Sequence, residues 1–286
     1  MFKGKELELK LSHITLAAQE WGEVGKPVLL ATHGWLDNSN TFLPLIEFLS
    51  DYRIIAIDFP GHGLSQHRQT GYPLHLTDYV FDLEQVIEHL KQEYGIDKVN
   101  LLAHSFGGII SLMYASVFPQ NVEKLIMLDI LMPLFEMESN AKHRLQQSLI
   151  DHKAQANSDI TPKTYSSIET VAKVREKVTD LNYVNSKLIV TRNLRQTENG
   201  VVWRTDPKLK LTSAWRFSFQ QVDSLIDHVE VPVFVIFGSR SKAQLQMNAF
   251  QIKFSSLASE VVEGGHHIHM DNPKPVAEAI RSFIDQ

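Results

Sequence analysis

Five short apolar runs constrain this chain more than any other feature. Val28–Ala31, Ile54–Ile57, Val99–Ala103, Leu125–Leu128 and Val233–Phe237 are mostly continuous instead of alternating. A strand with one wet face shows every second residue to water. A continuous run suits a strand covered on both faces, as in a parallel sheet flanked by helices. The N-terminus differs: Leu7, Leu9 and Leu11 alternate with Glu6, Glu8 and Lys10, and Ile14, Leu16 and Ala18 suggest a second half-buried strand. Val261-Val262 is a weaker final candidate.

Helical patterns separate the runs. Leu76, Tyr79, Val80, Leu83, Val86, Ile87 and Leu90 follow three-and-four spacing, which places Asp82, Glu84, Glu88 and Lys91 toward water. Phe106 to Phe118 is small and apolar on nearly every side, so it reads as a buried helix ending before Pro119. A last helix begins near Pro273 or Pro275, with Asn272 as its expected cap, and runs through Phe283. Strands alternating with helices imply an α/β fold with a mostly parallel sheet and helices on both faces. Residues 132–228 break the rhythm. They have few strand-like runs, helical fragments such as Val171–Val178, and a small excess of basic residues in an otherwise acidic chain. They read as a helical insertion, leaving 1–131 and 229–286 as the core.

Composition excludes several classes. Lys+Arg number 28 against 33 Asp+Glu, so there is no basic excess with which to neutralise phosphates, and no nucleic-acid partner is expected. Cysteine is absent, which removes disulfides, thiol nucleophiles and Cys-based metal sites. No apolar run approaches the length of a membrane span, and the first residues lack a signal-peptide pattern. The expectation is a soluble cytoplasmic protein with no membrane partner.

Three segments carry chemistry. In Leu102-Ala103-His104-Ser105-Phe106-Gly107-Gly108 a strand runs through a serine straight into a helix. Such a turn needs small residues two before and two after the serine; Gly is usual at both, and here Ala103 and Gly107 fill the places. The turn pushes the Ser105 hydroxyl out at the strand's end, beside the backbone N–H groups that open the helix. The plainer alternative is an ordinary N-cap serine. Thr32-His33-Gly34-Trp35 follows the first buried strand, and Gly34 would let the Trp35 N–H turn toward the same oxyanion; alone it reads equally as a simple turn. Gly264-Gly265-His266-His267-Ile268-His269, before Asp271-Asn272-Pro273, offers a base near the chain end. A surface histidine cluster or a weak metal site is the alternative, and metal is disfavoured because no acidic partner motif accompanies it.

Together these segments resemble the α/β-hydrolase superfamily, and Asp58-Phe59-Pro60-Gly61-His62-Gly63-Leu64-Ser65 extends the resemblance as its D-x-P-G-H-G-x-S turn. Arg192-Asn193-Leu194-Arg195 and Val202–Pro207 further resemble the cap of the serine hydrolase-like group. The resemblance implies an eight-stranded sheet and a helical cap over 132–228. It places Ser105 as nucleophile and the Trp35 and Phe106 amides as the oxyanion hole. His266 becomes the base, on a G-H-x-x-x-x-E-x-P spacing with Asp271 for Glu. The acid departs from the pattern. Ser241 stands three residues after Gly238, where relatives most often have Asp. Asp129, at the end of the preceding core strand, is the expected substitute, a place some superfamily members use; Glu263 and Asp271 are the fallbacks. His33, Gly34, His104, Phe135 and Trp215 are the expected pocket residues.

The function implied is hydrolysis of a small to medium carboxylic ester through an acyl-enzyme, without cofactor or metal. Three alternatives stay open: a carbon–carbon bond hydrolase, a cofactor-free perhydrolase, and a non-catalytic ligand receptor, which the missing acid at Ser241 would favour.

Overall fold

The structure, a computed structural model, describes residues 4–69, 71, 73–157 and 163–286. Its strands are β1 (Lys5–Lys10), β2 (Thr15–Trp21), β3 (Val28–Thr32), β4 (Arg53–Ile57), β5 (Val99–His104), β6 (Val122–Leu128), β7 (Leu194–Thr197), β8 (Gly200–Trp203), β9 (Val233–Gly238) and β10 (Leu257–Val262). Its helices are α1 (Leu43–Ile46), α2 (Leu76–Tyr94), α3 (Phe106–Val117), α4 (Ala141–Ala156), α5 (Ile168–Val178), α6 (Tyr183–Asn193), α7 (Phe219–Leu225), α8 (Met247–Phe250), α9 (Ile268–Asp271) and α10 (Pro273–Ile284).

Eight strands form one sheet in the order β1-β2-β4-β3-β5-β6-β9-β10. The β1/β2 and β2/β4 pairs are antiparallel; every later pair is parallel. Every residue of β3, β4 and β9 is buried, which is why their sequences are continuously apolar. Side chains of α2, α3 and α7 cover one face of the sheet; those of α1, α9 and α10 cover the other. No helix among the described residues is long and apolar enough to cross a membrane.

The structure departs from the sequence reading at four places. Asp82 does not face water. It is fully buried on α2 and accepts hydrogen bonds from Arg68 at 2.5 Å and His13 at 2.8 Å. The Arg68 guanidinium and the His13 ring, both brought from elsewhere in the chain, give the carboxylate hydrogen-bond partners that make its burial tolerable. Asn272 sits at the N-cap of α10 but makes no capping bond; its side chain donates to the Glu263 carbonyl. β10 is a full six-residue strand, more than the apolar pair suggested, because it lies at the sheet edge with most of its residues exposed. Between β6 and β9 the chain adds a hairpin, β7–β8, to the helices α4 to α7. The hairpin pairs only with itself and contributes no strand to the main sheet.

Candidate active site

Parallel strands bring their C-terminal ends to one edge, where an open α/β sheet builds its ligand site. β3, β5 and β6 end there in His33-Gly34-Trp35, Ser105 and Asp129. Ser105 has φ 47° and ψ −111°, a conformation that costs a non-glycine residue of order 1–3 kcal/mol. Packing maintains it. A Cβ on Gly107 would come within 2.3 Å of the Thr32 carbonyl oxygen, so only glycine lets α3 lie this close to β3. The Gly107 N–H then donates to the His33 carbonyl and the Ser105 N–H to the Leu128 carbonyl, each at 3.1 Å. Ser105 occupies the N-cap position, yet its side chain makes no capping bond.

Its hydroxyl instead meets His266 Nε2 at 2.9 Å. His266 Nδ1 lies 2.6 Å from Asp129 Oδ2. The other Asp129 oxygen accepts the Gly238 N–H at 2.9 Å, and its own N–H donates to the Ile236 carbonyl at 2.8 Å. Asp129 is buried with φ 55°, a left-handed conformation to which Asp is better suited than most residues. The structure thus brings Ser105, His266 and Asp129 into one hydrogen-bonded chain. Ser241 is not part of it; its hydroxyl accepts the Ala243 N–H in a local turn. Asp271 accepts from Gly265 N–H and Arg240. Asp58 braces its own turn, taking N–H groups from Ser39 and Leu64 and the Arg192 guanidinium.

The Trp35 and Phe106 amides donate to no protein acceptor among the described residues. The two side chains pack edge to face at 4.8 Å between centroids, and Tyr79 packs on Phe106 at 5.1 Å. Such contacts contribute about 0.5–1.5 kcal/mol per pair and tie the two amide-bearing segments together.

Two chambers meet at Ser105, Trp35 and His266, of about 470 and 640 Å³. Gly34 and His104 line the smaller, Phe106 and Trp215 the larger. Two expected pocket residues are absent from both walls. Phe135 bridges to Phe217 and packs on Phe219. His33 is wholly buried, with Nδ1 toward the Gly34 carbonyl and Nε2 accepting the Phe59 N–H; burial pulls its pKa down to about 4, so it is a neutral strut beneath the loop. His269 is likewise a strut, fully buried and bonded to Thr41.

Sequence reasoning missed an ionic circuit beside His266. Asp180, in the turn between α5 and α6, accepts the His266 N–H at 2.5 Å and the His267 Nδ1 proton at 2.9 Å. His267 Nε2 faces Asp37 at 3.1 Å, and Asp37 accepts the Arg175 guanidinium of α5 at 2.5 Å. Burial opposes a charge on His267, but Asp37 and Asp180 outweigh it and push its pKa up to about 9. Burial likewise opposes ionisation of Asp37, yet His267 and Arg175 hold its carboxyl well below the usual range. A Cβ on Gly265 would sit 2.5 Å from Asp180 Oδ2, so any other residue there would displace that carboxylate. The members lie far apart in sequence; His267 stood within the histidine cluster and Asp37 three residues beyond Gly34, but no motif marked Asp180 or Arg175.

A strand-elbow serine, a histidine on a late loop and a carboxylate at a neighbouring strand end, set on this sheet, define a class. A family model described as alpha/beta hydrolase fold matches residues 27–273, and the chain belongs to that family. Within it, similarity runs to serine hydrolase-like proteins. The human serine hydrolase-like protein 2 is 31% identical, over 98% of this chain and 93% of its own length. The Danio rerio serine hydrolase-like protein is 28% identical, over 94% and 85%. A solved hypothetical protein from Pseudomonas aeruginosa superposes with a TM-score of 0.88 at 31% identity, over 98% of this chain and 99% of its own. A thioesterase domain from the curacin biosynthetic pathway shares the fold, with a TM-score of 0.82 at 23% identity.

Proposed function

We propose that this hydrolase cleaves carboxylic esters with Ser105 as nucleophile, His266 as general base and Asp129 as the acid that orients it. The observation that carries the reading is the hydrogen-bonded chain from Ser105 Oγ through both His266 nitrogens to Asp129, opening onto the double cavity. His266 Nε2 takes the Ser105 proton as Oγ bonds to the substrate carbonyl carbon. Asp129 holds the proton on Nδ1, so that Nε2 is the basic nitrogen, and stabilises the imidazolium. The carbonyl oxygen, now negative, accepts the Trp35 and Phe106 N–H groups; losing one such donor typically costs about 10²–10³ in rate. Collapse breaks the bond to the alcohol oxygen, which leaves with the His266 proton. Water then gives a proton to His266 and its oxygen to the acyl carbon, and Ser105 departs reprotonated.

The cavity volumes support an ester of small to medium size, with acyl and alcohol portions in separate chambers. No step calls on a cofactor or metal. The test is turnover of short p-nitrophenyl esters together with covalent labelling by a fluorophosphonate. Ser105→Ala should lose both while keeping its circular dichroism and melting temperature. Wild-type turnover by a folded Ser105→Ala protein would overturn the assignment.

A further inference from the structure

The two chambers differ in chemistry. The larger is walled chiefly by apolar side chains, among them Leu74, Ile109, Ile130 and Phe217. The smaller lies between the Gly34–Asp37 loop and the cap segment, and its wall carries Arg175, Thr205 and Lys210. Donors there lack acceptors. Arg175 gives two of its nitrogens to the Leu36 carbonyl and Asp37, but its Nε is buried without a partner. The Thr205 hydroxyl is also buried without one. Lys210 stands 5.9 Å over the Trp203 ring and has no carboxylate partner among the described residues. A buried donor left unsatisfied is costly, so the Arg175 and Thr205 groups favour an occupant with acceptors, and Lys210 favours a negative one.

Charge narrows the choice. Asp37 and Asp180 are offset by Arg175 and the His267 imidazolium. Lys210 remains, one positive charge without a counterpart. His104 adds none: its Nε2 meets the His266 carbonyl at 3.0 Å and so carries the ring proton, and burial lowers its pKa to about 4. Apart from these groups, Val171, Val174 and Val178 make the α5 wall apolar, which suits a short hydrocarbon link ending in a single charged group.

We propose that the 470 Å³ chamber is a carboxylate subsite and that the substrate is an ester bearing a free carboxylate, received by Lys210, with the Thr205 hydroxyl and Arg175 Nε, buried just behind the wall, turning to it as further donors. The apolar remainder fills the larger chamber, with the ester carbonyl between them at Ser105. This specificity rests on the ester-hydrolase reading, but the binding site does not depend on catalysis.

Two matched substrate pairs test it. One carries the charge on the acyl side, mono-p-nitrophenyl glutarate against its methyl-capped form. The other carries it on the alcohol side, 4-acetoxybenzoate against its methyl ester. In one pair the charged member should have the higher kcat/KM, and Lys210→Met and Thr205→Val should each lower that preference by about tenfold or more, as expected for charge-assisted hydrogen bonds. Turnover of the neutral members should change little. Glutarate should raise the melting temperature of Ser105→Ala protein and fail to do so once Lys210→Met is added. Preference for the neutral ester in both pairs, or a glutarate effect indifferent to Lys210→Met, would overturn the proposal. If no ester is turned over but glutarate still stabilises through Lys210, the subsite stands and the ester reading falls.

Discussion

Stability should fall steeply between pH 6.5 and pH 9 through one residue, His267. Its pKa rises from the ordinary 6.5 to about 9 because Asp37 and Asp180 flank it, against the opposing effect of burial. That change makes protonation about 3 kcal/mol more favourable in the folded chain than in the unfolded one. A raised pKa stabilises where the unfolded imidazole is still charged, so the contribution is complete below pH 6.5. It declines as the unfolded chain stops binding the proton and is gone once pH passes 9. Urea unfolding of the wild type and His267→Gln at pH 6, 7.5, 9 and 10 isolates the effect, since groups common to both proteins cancel in the difference. The stability gap between the two should shrink by about 3 kcal/mol from pH 6 to pH 10. A proton NMR titration of His267 gives an independent value near 9. A gap that stays flat across this range, or an imidazole titrating below pH 7, would refute the ionic circuit.

Two further outcomes are expected. Asp129→Asn should keep the backbone, because Asn tolerates the left-handed conformation and can still accept the Gly238 N–H; its amide would donate to His266 Nδ1 and force the proton onto Nε2, so ester turnover should fall by up to about 10⁴, measured as kcat on a p-nitrophenyl ester. Gly107→Ala should lower both the melting temperature and fluorophosphonate labelling of Ser105, since its Cβ would meet the Thr32 carbonyl at 2.3 Å and must push β3 and α3 apart; unchanged labelling at wild-type stability would show that the turn does not depend on that approach.

What the sequence disclosed and what it hid follow from range. The buried strands were legible because double burial forces continuous apolar runs, and the Ser105 turn because its steric demands fall on neighbours in the chain. Asp129 could be singled out because it ends a recognisable core strand and Ser241 cannot supply a charge. The β7–β8 hairpin left little signal, because its two-residue loop is Glu198-Asn199 and Gly200 already pairs with Thr197, within a segment that read as helical. Asp82 lay on the polar side of α2 by pattern; its partners His13 and Arg68 lie 69 and 14 positions away. The Asp37–His267 contact spans 230 positions and His267–Asp180 spans 87, so no local pattern announces either. His33 looked like a pocket residue because it adjoins Gly34, but only the fold shows its ring turned inward to the Phe59 amide.

The hydrogen bond from the His266 amide to Asp180 bears on modularity. Asp180 lies between β6 and β9, in a stretch that adds no strand to the main sheet, whereas His266 follows β10 of that sheet. Stretches that leave a sheet untouched invite exchange between homologues as a route to new specificity. Here a chimera that replaced residues 132–228 without an acidic side chain in the turn between α5 and α6 would leave the His266 and His267 amides and the His267 Nδ1 proton unanswered. It would do so however well its new cavity fitted a substrate. Grafting therefore has to keep that turn, together with Arg175 on α5 and Arg192 on α6, as part of the recipient scaffold.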